Sequence, residues 1–386
     1  MKNNNKAVSL ITATAILTAS VTFLVTSAFY SSVLKARFAP SFPEGEKINE
    51  ILSILDDRYY YGFDRQKLID TAVDTMLDSL GDPYTTYMTL DEAKLFFERI
   101  SGTYAGVGAF VSWDTELKAV IIVKPIKDSP AEKAGLVKGD RIVKIDGESV
   151  SDSDLDIAVA KMKGEKGTDV VLTVLKAEGG ETIDIKVTRD EIHIPSMDAN
   201  MDGDIGHLSL YTFDPETGDE FKENLNFLVE SGAKGIVLDL RDNGGGIVSS
   251  VVSVANSLLN KGDLIFYTLD KDGNRLDHRT YNEGVDIPIV LLVNENTASA
   301  AELLAGALRD NKGIKLVGKT TYGKGVVQVT YPLSDQSVIK LTVEKYFTPN
   351  GNDIDKIGLK PDFEIELETE SDEQYKKAVE VLRSEL

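Results

Sequence analysis

The second half of the sequence alternates between short apolar runs and amphipathic stretches, and this alternation constrains the fold more than any other feature. Residues 235–240 and 288–293 have the length and apolar character of strands that are buried on both faces of a sheet. Each run is followed by a stretch with helical periodicity, at residues 248–259 and 299–308. Strands that alternate with helices in this order predict an α/β domain with a mostly parallel sheet, which we place at residues 191–370.

The rest of the 386-residue chain predicts further domains. Residues 103–190 contain short β-like runs that are separated by turn residues and interrupted by two short helical stretches, as in a small β-rich domain. Residues 39–102 are predicted to form a helical module that opens with a linker at 39–46, and residues 371–386 a C-terminal helix. A hairpin of strands at 326–331 and 338–346 is predicted as an addition to the α/β domain.

The N-terminal segment suggests where the protein resides. Residues 7–34 contain no charged side chain and are long enough to span a bilayer as a helix. Lysines precede the stretch and Lys35 and Arg37 follow it, so the balance of charges gives only a weak indication of orientation. We expect residues 1–38 to be an uncleaved signal-anchor with the rest of the chain on the extracytoplasmic side of the cell membrane, and a cleaved signal peptide is the alternative, in which case the protein is secreted.

Composition excludes several classes of function. The net charge is −21 and no run of basic residues occurs, so a nucleic-acid-binding surface is not expected. The absence of cysteine excludes disulfides, thiolate metal sites and thiol nucleophiles. The histidines His193, His207 and His278 lack the spacing of a metal site and a nucleophile-like context, so we expect structural or surface roles for them and no metal or other cofactor.

Two strand ends in the α/β domain carry unusual residues, and ligands of such sheets bind at the carboxyl ends of strands. After the strand at 235–240 come Gly244, Gly245 and Gly246, whose N–H groups can approach an anion closely at the start of a helix. The alternative interpretation is a tight turn that binds nothing. After the other strand comes Ser299, which by itself is typical of a helix N-cap with Glu302 completing a capping box.

A serine nucleophile needs a base, and the histidines are poor candidates. Lys324, which lies between two glycines, offers an amine that burial could keep neutral, although an exposed loop lysine is the alternative. Gln328 is on the same strand face but roughly 13 Å farther along if the chain is fully extended. A bend near Gly325 would therefore be needed for Gln328 to orient the amine.

The combination of motifs resembles the carboxyl-terminal processing proteases, also called tail-specific proteases, from about residue 45 to residue 370. The stretches that carry the resemblance, in chain order, are 80–85 (LGDPYT), 238–246 (LDLRDNGGG), 296–302 (NTASAAE), 322–328 (YGKGVVQ), 346–351 (YFTPNG) and 358–362 (GLKPD). Gly244 stands where many members of the family carry proline.

The resemblance implies a crotonase-like catalytic domain with a set of named roles. Ser299 would be the nucleophile, Lys324 the general base and Gln328 the residue that orients the lysine. The oxyanion hole would be formed by the N–H of Ala300 and that of a glycine in 244–246, which we take to be Gly245.

The β-rich domain contains a helix start at 129–131 (SPA) and turns at 135–140 (GLVKGD) and 145–147 (IDG), and with these features it resembles a PDZ domain. Gly106, Val107 and Gly108 form a glycine-rich loop before a predicted strand, and its N–H groups could hold a peptide carboxylate, the alternative being a plain β-turn. The chain is thus expected to be an extracytoplasmic serine endopeptidase that binds protein or peptide substrates by their free C-termini, and a homodimer through its helical module. The alternatives from other classes are a non-catalytic PDZ scaffold and acyl-thioester chemistry on a crotonase-like sheet.

Overall fold

The computed structural model describes residues 43–151, 154–366 and 371–386, which form two compact units, one that ends at Ile69 and one that spans Asp70–Leu386. The predicted signal-anchor at residues 1–38 lies outside the described residues. Within the described ranges, no helix combines the length and the apolar character that crossing a bilayer requires.

The first unit contains helix α1 (Pro43–Arg58) and the beginning of helix α2 (Arg65–Asp78). The predicted linker at 39–46 is wrong for residues 43–46, which are the first turn of α1. Proline is well tolerated at the first helical position, and Glu44 and Glu46 favour a helix start through the helix dipole. Three isoleucines of α1 are exposed, namely Ile48, Ile51 and Ile54.

The second unit combines a β-rich module with an α/β domain. Its remaining elements, in chain order, are β1 (Thr86–Met88), α3 (Leu90–Ser101), β2 (Thr103–Gly106), β3 (Ala109–Asp114), β4 (Ala119–Pro125), α4 (Pro130–Lys133), β5 (Arg141–Ile145), β6 (Glu148–Ser149), α5 (Leu155–Met162), β7 (Asp169–Leu175), β8 (Thr182–Thr188), β9 (Asp190–His193), β10 (Met197–Asp202), β11 (Ile205–Leu210), α6 (Thr217–Glu230), β12 (Gly235–Asp239), α7 (Val248–Leu258), β13 (Leu264–Asp270), β14 (Arg275–Arg279), β15 (Ile289–Val293), α8 (Ala300–Lys312), β16 (Lys315–Gly318), β17 (Val326–Pro332), β18 (Val338–Phe347), β19 (Phe363–Glu364) and α9 (Glu373–Glu385).

The β-rich module is an antiparallel sheet in the order β3-β4-β5-β7-β8, with β6 paired to β5. Its apolar core includes Ile122, Ile142 and Leu172, and α4 and α5 pack against that core through Ala131 and Ala158. The ends of the module are joined by an antiparallel pair of β2 and β9. Gly106, predicted to lie in a loop, is the last residue of β2.

The α/β domain is built on a sheet in the order β10-β11-β12-β15-β16-β19, in which every pair except β10 with β11 is parallel. Side chains alternate between the two faces of a strand. One face, with Leu238 and Leu291, packs in the core that α6, α7 and α8 cover. The other face, with Val237 and Val290, packs against α9 through Leu382. The strands lie in the middle of a three-layer arrangement, which explains why the sequence of β12 and β15 is apolar on both faces.

A second sheet follows the order β1-β18-β13-β14, with β17 paired to β18. The hairpin of β17 and β18 is therefore part of a five-stranded sheet. Sequence reasoning missed β13, which reads LIFYTLD, and its partner β14, which reads RLDHR and is too exposed to show an apolar pattern. Strand β1 follows the LGDPYT stretch directly and pairs with β18, so that stretch reaches the region of the chain around Lys324.

Candidate active site

Ser299 lies at the end of the turn that follows the carboxyl end of β15 and is the residue that precedes α8. The turn between them is fixed by Thr297, whose Oγ1 donates a 2.8 Å hydrogen bond to the carbonyl of Leu240 at the end of the neighbouring strand. Ser299 has φ 56° and ψ −116°, a backbone conformation that residues other than glycine rarely adopt. Such strain is concentrated at functional positions. The turn presents a partly exposed Ser299 next to the fully buried Ala300.

The glycine turn after β12 packs directly against Ser299. A Cβ placed on Gly245 would lie 2.8 Å from Ser299 Cβ and 2.9 Å from the backbone nitrogen of Ala300, and the φ of Gly245 is +98°. No side chain fits there, and only glycine adopts this φ at little cost. The structure thus brings Gly245 and Ala300, the two candidate oxyanion donors, together beside Ser299.

The N–H of Gly245 already has a partner. It donates to Asn243 Oδ1 at 2.9 Å, and Asn243 Nδ2 donates to the carbonyl of Leu210 at 2.8 Å. An oxyanion that uses the Gly245 N–H would therefore share or replace the bond to Asn243.

Glu302 connects Ser299 to the segment that contains Lys324. Its carboxylate is fully buried and accepts four hydrogen bonds, from Ser299 N (2.8 Å), Lys324 N (2.9 Å), Gly323 N (2.8 Å) and Thr321 Oγ1 (2.5 Å). The first two donors share the same oxygen, Oε2. Sequence reasoning identified Glu302 only as half of a capping box and missed its contacts with residues 321–324, because a spacing of three residues reports nothing about partners some twenty residues away.

Lys324 is partly buried in front of the LGDPYT stretch, with Nζ 5.1 Å from the centre of the Tyr84 ring. Burial lowers the pKa of Lys324 below its ordinary value, and the positive charge of Lys340 lowers it further. The carboxylates of Asp82 and Glu302 act in the opposite direction on the same pKa. The net effect is a lysine that loses its proton more easily than an exposed one.

The predicted contact of Gln328 with Lys324 is not present in this structure. The Gln328 amide donates instead to the carbonyl of Val326 at 3.3 Å and to Thr342 Oγ1 at 3.4 Å. The strand is irregular at this point, since the pairing of β17 with β18 shifts register between Val327 and Gln328. Across the described part of the chain, no hydrogen bond links the side chains of Ser299 and Lys324 either. Catalytic hydrogen bonds are commonly long or misaligned before substrate binds.

Sequence reasoning missed the contribution of the LGDPYT stretch to the site. Asp82 accepts a 2.6 Å hydrogen bond from Thr85 Oγ1, and the same hydroxyl accepts one of 3.1 Å from the N–H of Thr342 on β18. This docking places Asp82 and Tyr84 beside Lys324. The stretch is one of the family motifs in the sequence, but its position within residues 39–102 predicts only a place in the helical module.

The three histidines are engaged with residues other than Ser299 and Lys324. His193 lies 3.2 Å from Asp214 and 3.3 Å from Glu220, and His207 lies 3.5 Å from Asp239. His278 stacks on Phe266 with ring centres 4.2 Å apart. The candidate base therefore remains Lys324.

The candidate carboxylate-binding loop at residues 106–108 is held in place by hydrogen bonds that its backbone carbonyls accept. The carbonyl of Val107 accepts from Ala131 N at 2.7 Å, and that of Gly108 accepts from Ile126 N at 3.0 Å. Gly108 has φ +82°, and a Cβ on it would lie 2.5 Å from Ser129 Cβ, so glycine is required for this close approach. Gly106 pairs with Asp190 in the short β2–β9 sheet. The loop is thus fixed at both ends just before β3.

Comparison with known protein families finds three matches along the chain. Residues 204–365 match peptidase family S41, residues 121–176 match the PDZ domain, and residues 26–92 match the N-terminal domain of the activating protease CtpB.

Individual proteins match most of the chain. The carboxy-terminal processing protease CtpA of Bacillus subtilis (strain 168) is 38% identical over 370 residues, which cover 95% of this chain and 78% of the relative. A probable CtpA-like serine protease of Staphylococcus aureus (strain N315) is 35% identical over 362 residues, or 93% of this chain and 72% of the relative. Among solved structures, a putative S41 protease from Bacteroides fragilis covers 85% of this chain and 93% of its own with a TM-score of 0.53, and at 14% identity this is a likeness of fold alone.

Proposed function

We propose that this chain, which belongs to the carboxyl-terminal processing proteases of peptidase family S41, is an extracytoplasmic serine endopeptidase that captures the free C-terminus of a substrate and cuts near it. The chain is a serine-type protease by its membership of the family. The observation that carries the catalytic assignment is the Glu302 carboxylate, one oxygen of which accepts from the backbone N–H groups of both Ser299 and Lys324. This shared anchor keeps a candidate nucleophile and a candidate base next to each other.

In the proposed mechanism Ser299 attacks the scissile carbonyl carbon while its hydroxyl proton moves to neutral Lys324. The resulting ammonium gives this proton to the leaving amine as the peptide bond breaks, which leaves an acyl ester on Ser299. Water then attacks the ester, its proton passes to Lys324, and Lys324 returns a proton to the Ser299 oxygen as the shortened chain leaves. Protons and bonds balance over the cycle without a cofactor.

The negative charge that develops on the carbonyl oxygen needs donors beside Ser299. The N–H groups of Ala300 and Gly245 are the proposed donors, since Gly245 packs against both Ser299 and the Ala300 nitrogen. In this proposal the oxyanion takes over the Gly245 N–H from Asn243 Oδ1. Gln328 is proposed to orient the Lys324 amine once that amine turns from Tyr84 toward Ser299.

Peptides with a free, apolar C-terminal residue are expected to be cut faster than the same peptides with an amidated C-terminus. The proposal assigns the carboxylate to the loop of Gly106, Val107 and Gly108, and backbone N–H groups bind a carboxylate better than a neutral amide. The measurement is kcat/KM for matched quenched fluorescent peptides with the full-length enzyme.

The matched control for this prediction is the rate at which a small fluorophosphonate labels Ser299, since this reagent has no C-terminus to capture. The labelling rate should not depend on which peptide is assayed, and the final extent of labelling gives the active-enzyme concentration for both peptide assays. Equal kcat/KM for free and amidated peptides would eliminate the proposed role of the loop.

Activity is expected to rise with pH across the neutral-to-alkaline range, because only the neutral amine of Lys324 acts as a base. The positive charge of Lys340 disfavours the ammonium form of Lys324. Lys340→Met should therefore raise the pKa of Lys324 and move the rising part of the kcat/KM–pH profile to higher pH. The negative charge of Asp82 favours the ammonium form, so Asp82→Asn should move this part of the profile to lower pH. The measurement is the pH dependence of kcat/KM for the wild type and both variants.

A matched control is Lys315→Met, which removes a lysine that pairs with Asp362. Its profile should coincide with that of the wild type. If the kcat/KM–pH profiles of Lys340→Met and Asp82→Asn shifted in the same direction, Lys324 would not be the titrating base. The same conclusion would follow if kcat/KM of the wild type did not change from pH 6 to 10.

The location and assembly are proposed from the first part of the chain. The uncharged stretch at residues 7–34 supports attachment to the cell membrane with the catalytic domain outside, and cell fractionation with external protease treatment tests this.

The exposed isoleucines of α1 support a homodimer, which light scattering of the wild type and of Ile51→Glu tests.

A further inference from the structure

Tyr346 presents a buried hydroxyl that the mechanism above does not use. The residue lies on β18, is 1% exposed and belongs to the large apolar core beneath the sheet. Of all buried side-chain polar atoms in residues 43–151, 154–366 and 371–386, its Oη alone lacks a hydrogen-bond partner. Buried polar groups are almost always paired, and an unpaired one is retained where it has a function.

The surroundings of this hydroxyl indicate that function. The N–H of Tyr346 donates to the carbonyl of Gly325 at 3.0 Å, which ties the residue to the segment directly after Lys324. Burial raises the pKa of Tyr346, and against this larger effect the hydroxyl of Ser299 acts to lower it, while the Tyr346 Oη has no hydrogen-bond partner in the described part of the chain. Tyr346 packs in the same core as Ala300, the residue next to the candidate nucleophile, so its hydroxyl lies near Ser299 and Glu302.

We propose that Tyr346 is a further catalytic residue, which donates a hydrogen bond from its hydroxyl to the Ser299 oxygen when Ser299 transfers its proton to Lys324. This inference rests on the proposed role of Ser299 as nucleophile and extends it. A serine oxygen has two lone pairs, of which one forms the new bond to the carbonyl carbon. The second can accept the hydrogen bond from Tyr346, and that bond strengthens as negative charge develops on the oxygen.

The hydroxyl has to keep its own proton for this role. Burial raises the pKa of Tyr346 well above its ordinary value, and the charges of Glu302 and Asp355 and the neighbouring Tyr84 act in the same direction. The raised pKa favours a neutral Tyr346 donor, and the lowered pKa of Lys324 favours a neutral base beside it. It donates a hydrogen bond and transfers no proton, so the proton balance of the mechanism is unchanged.

The test is Tyr346→Phe, which removes the hydroxyl and keeps the packed ring. We expect kcat to fall about 10- to 100-fold, the effect of one lost hydrogen bond to a developing charge, with KM unchanged. The rate at which a fluorophosphonate labels Ser299 should fall by a similar factor, and the midpoint of the pH profile should stay in place. The melting temperature should be unchanged or higher, because the deleted hydroxyl has no partner in the folded protein.

The matched control is Tyr375→Phe, which removes a hydroxyl that donates to Asp202 on the edge strand β10. It should retain wild-type kcat and labelling rate. If Ser299→Ala is inactive but Tyr346→Phe has wild-type kcat, the inference is wrong and the proposed function stands. A clearly lower melting temperature for Tyr346→Phe would also overturn the inference, because the hydroxyl would then have a structural partner. Full activity of Ser299→Ala would instead refute the proposed function itself.

Discussion

Ser299→Ala and Lys324→Ala are each expected to abolish peptide-bond cleavage, with kcat falling by about four to six orders of magnitude. The first substitution removes the oxygen that forms the acyl ester, and the second removes the base that takes its proton. Both side chains are only partly buried, and the backbone bonds that hold these residues to Glu302 come from N–H groups that the variants keep. The folded structure should therefore persist, which circular dichroism and thermal unfolding can verify beside the peptide assay.

The controls separate this pair of residues from other lysines and from the histidines. Lys319 lies close to Lys324 in sequence but forms an ion pair with Glu366, so Lys319→Ala should remain active. Substitution of His193, His207 or His278 by asparagine should leave kcat within about threefold of the wild type, well short of the loss that follows removal of a nucleophile or base. An essential histidine together with a dispensable Lys324 would contradict the serine–lysine mechanism.

The position of Ser299 and of the glycine turn could be predicted because a parallel sheet places the carboxyl ends of its strands along one edge. Once β12 and β15 are recognised as buried neighbouring strands, the residues that follow them have to meet. Gly245 and Ala300 are brought together in this way, although their separation in the sequence is large. Apolar periodicity and topology were sufficient to predict that the two turns lie at one sheet edge, whereas the choice of Gly245 among the three glycines came from the resemblance to the family.

The surroundings of Lys324 could not be predicted in the same way, because they depend on contacts between distant segments. The Asp82–Tyr84 stretch reaches Lys324 through hydrogen bonds with β18, and no local pattern reports that docking. For Gln328, the sequence predicts the strand on which the residue lies but not the direction of its side-chain amide. Its position on the strand was correct, but a register shift beside Val327 and the hydroxyl of Thr342 determine the direction of its amide.

Glu302→Ala is expected to reduce both stability and activity by large amounts. The substitution leaves four donors without an acceptor in a buried position, on Ser299, Thr321, Gly323 and Lys324. Each unsatisfied buried group costs about 1–3 kcal/mol, and water that enters the space recovers part of this, so the free energy of unfolding should fall by about 3 kcal/mol or more. The segments that carry the nucleophile and the base also lose their common anchor. A displacement of about 1 Å between reacting groups costs about 100-fold in rate, so kcat should fall at least that far.

The chain supplies its own control for this prediction in a second, exposed capping box. Glu92 accepts hydrogen bonds from Thr89 N at 2.9 Å and Thr89 Oγ1 at 2.7 Å at the start of α3, so its carboxylate caps the N-cap N–H as Glu302 does at Ser299 but has no hydrogen-bond partner from a distant segment among the described residues. Glu92→Ala should therefore cost about 1 kcal/mol or less and leave kcat unchanged. Denaturant unfolding and peptide cleavage measured on both variants compare the two boxes directly. If Glu302→Ala cost no more than Glu92→Ala in either measurement, Glu302 would be an ordinary helix cap, and the shared carboxylate could not be what holds Ser299 and Lys324 together.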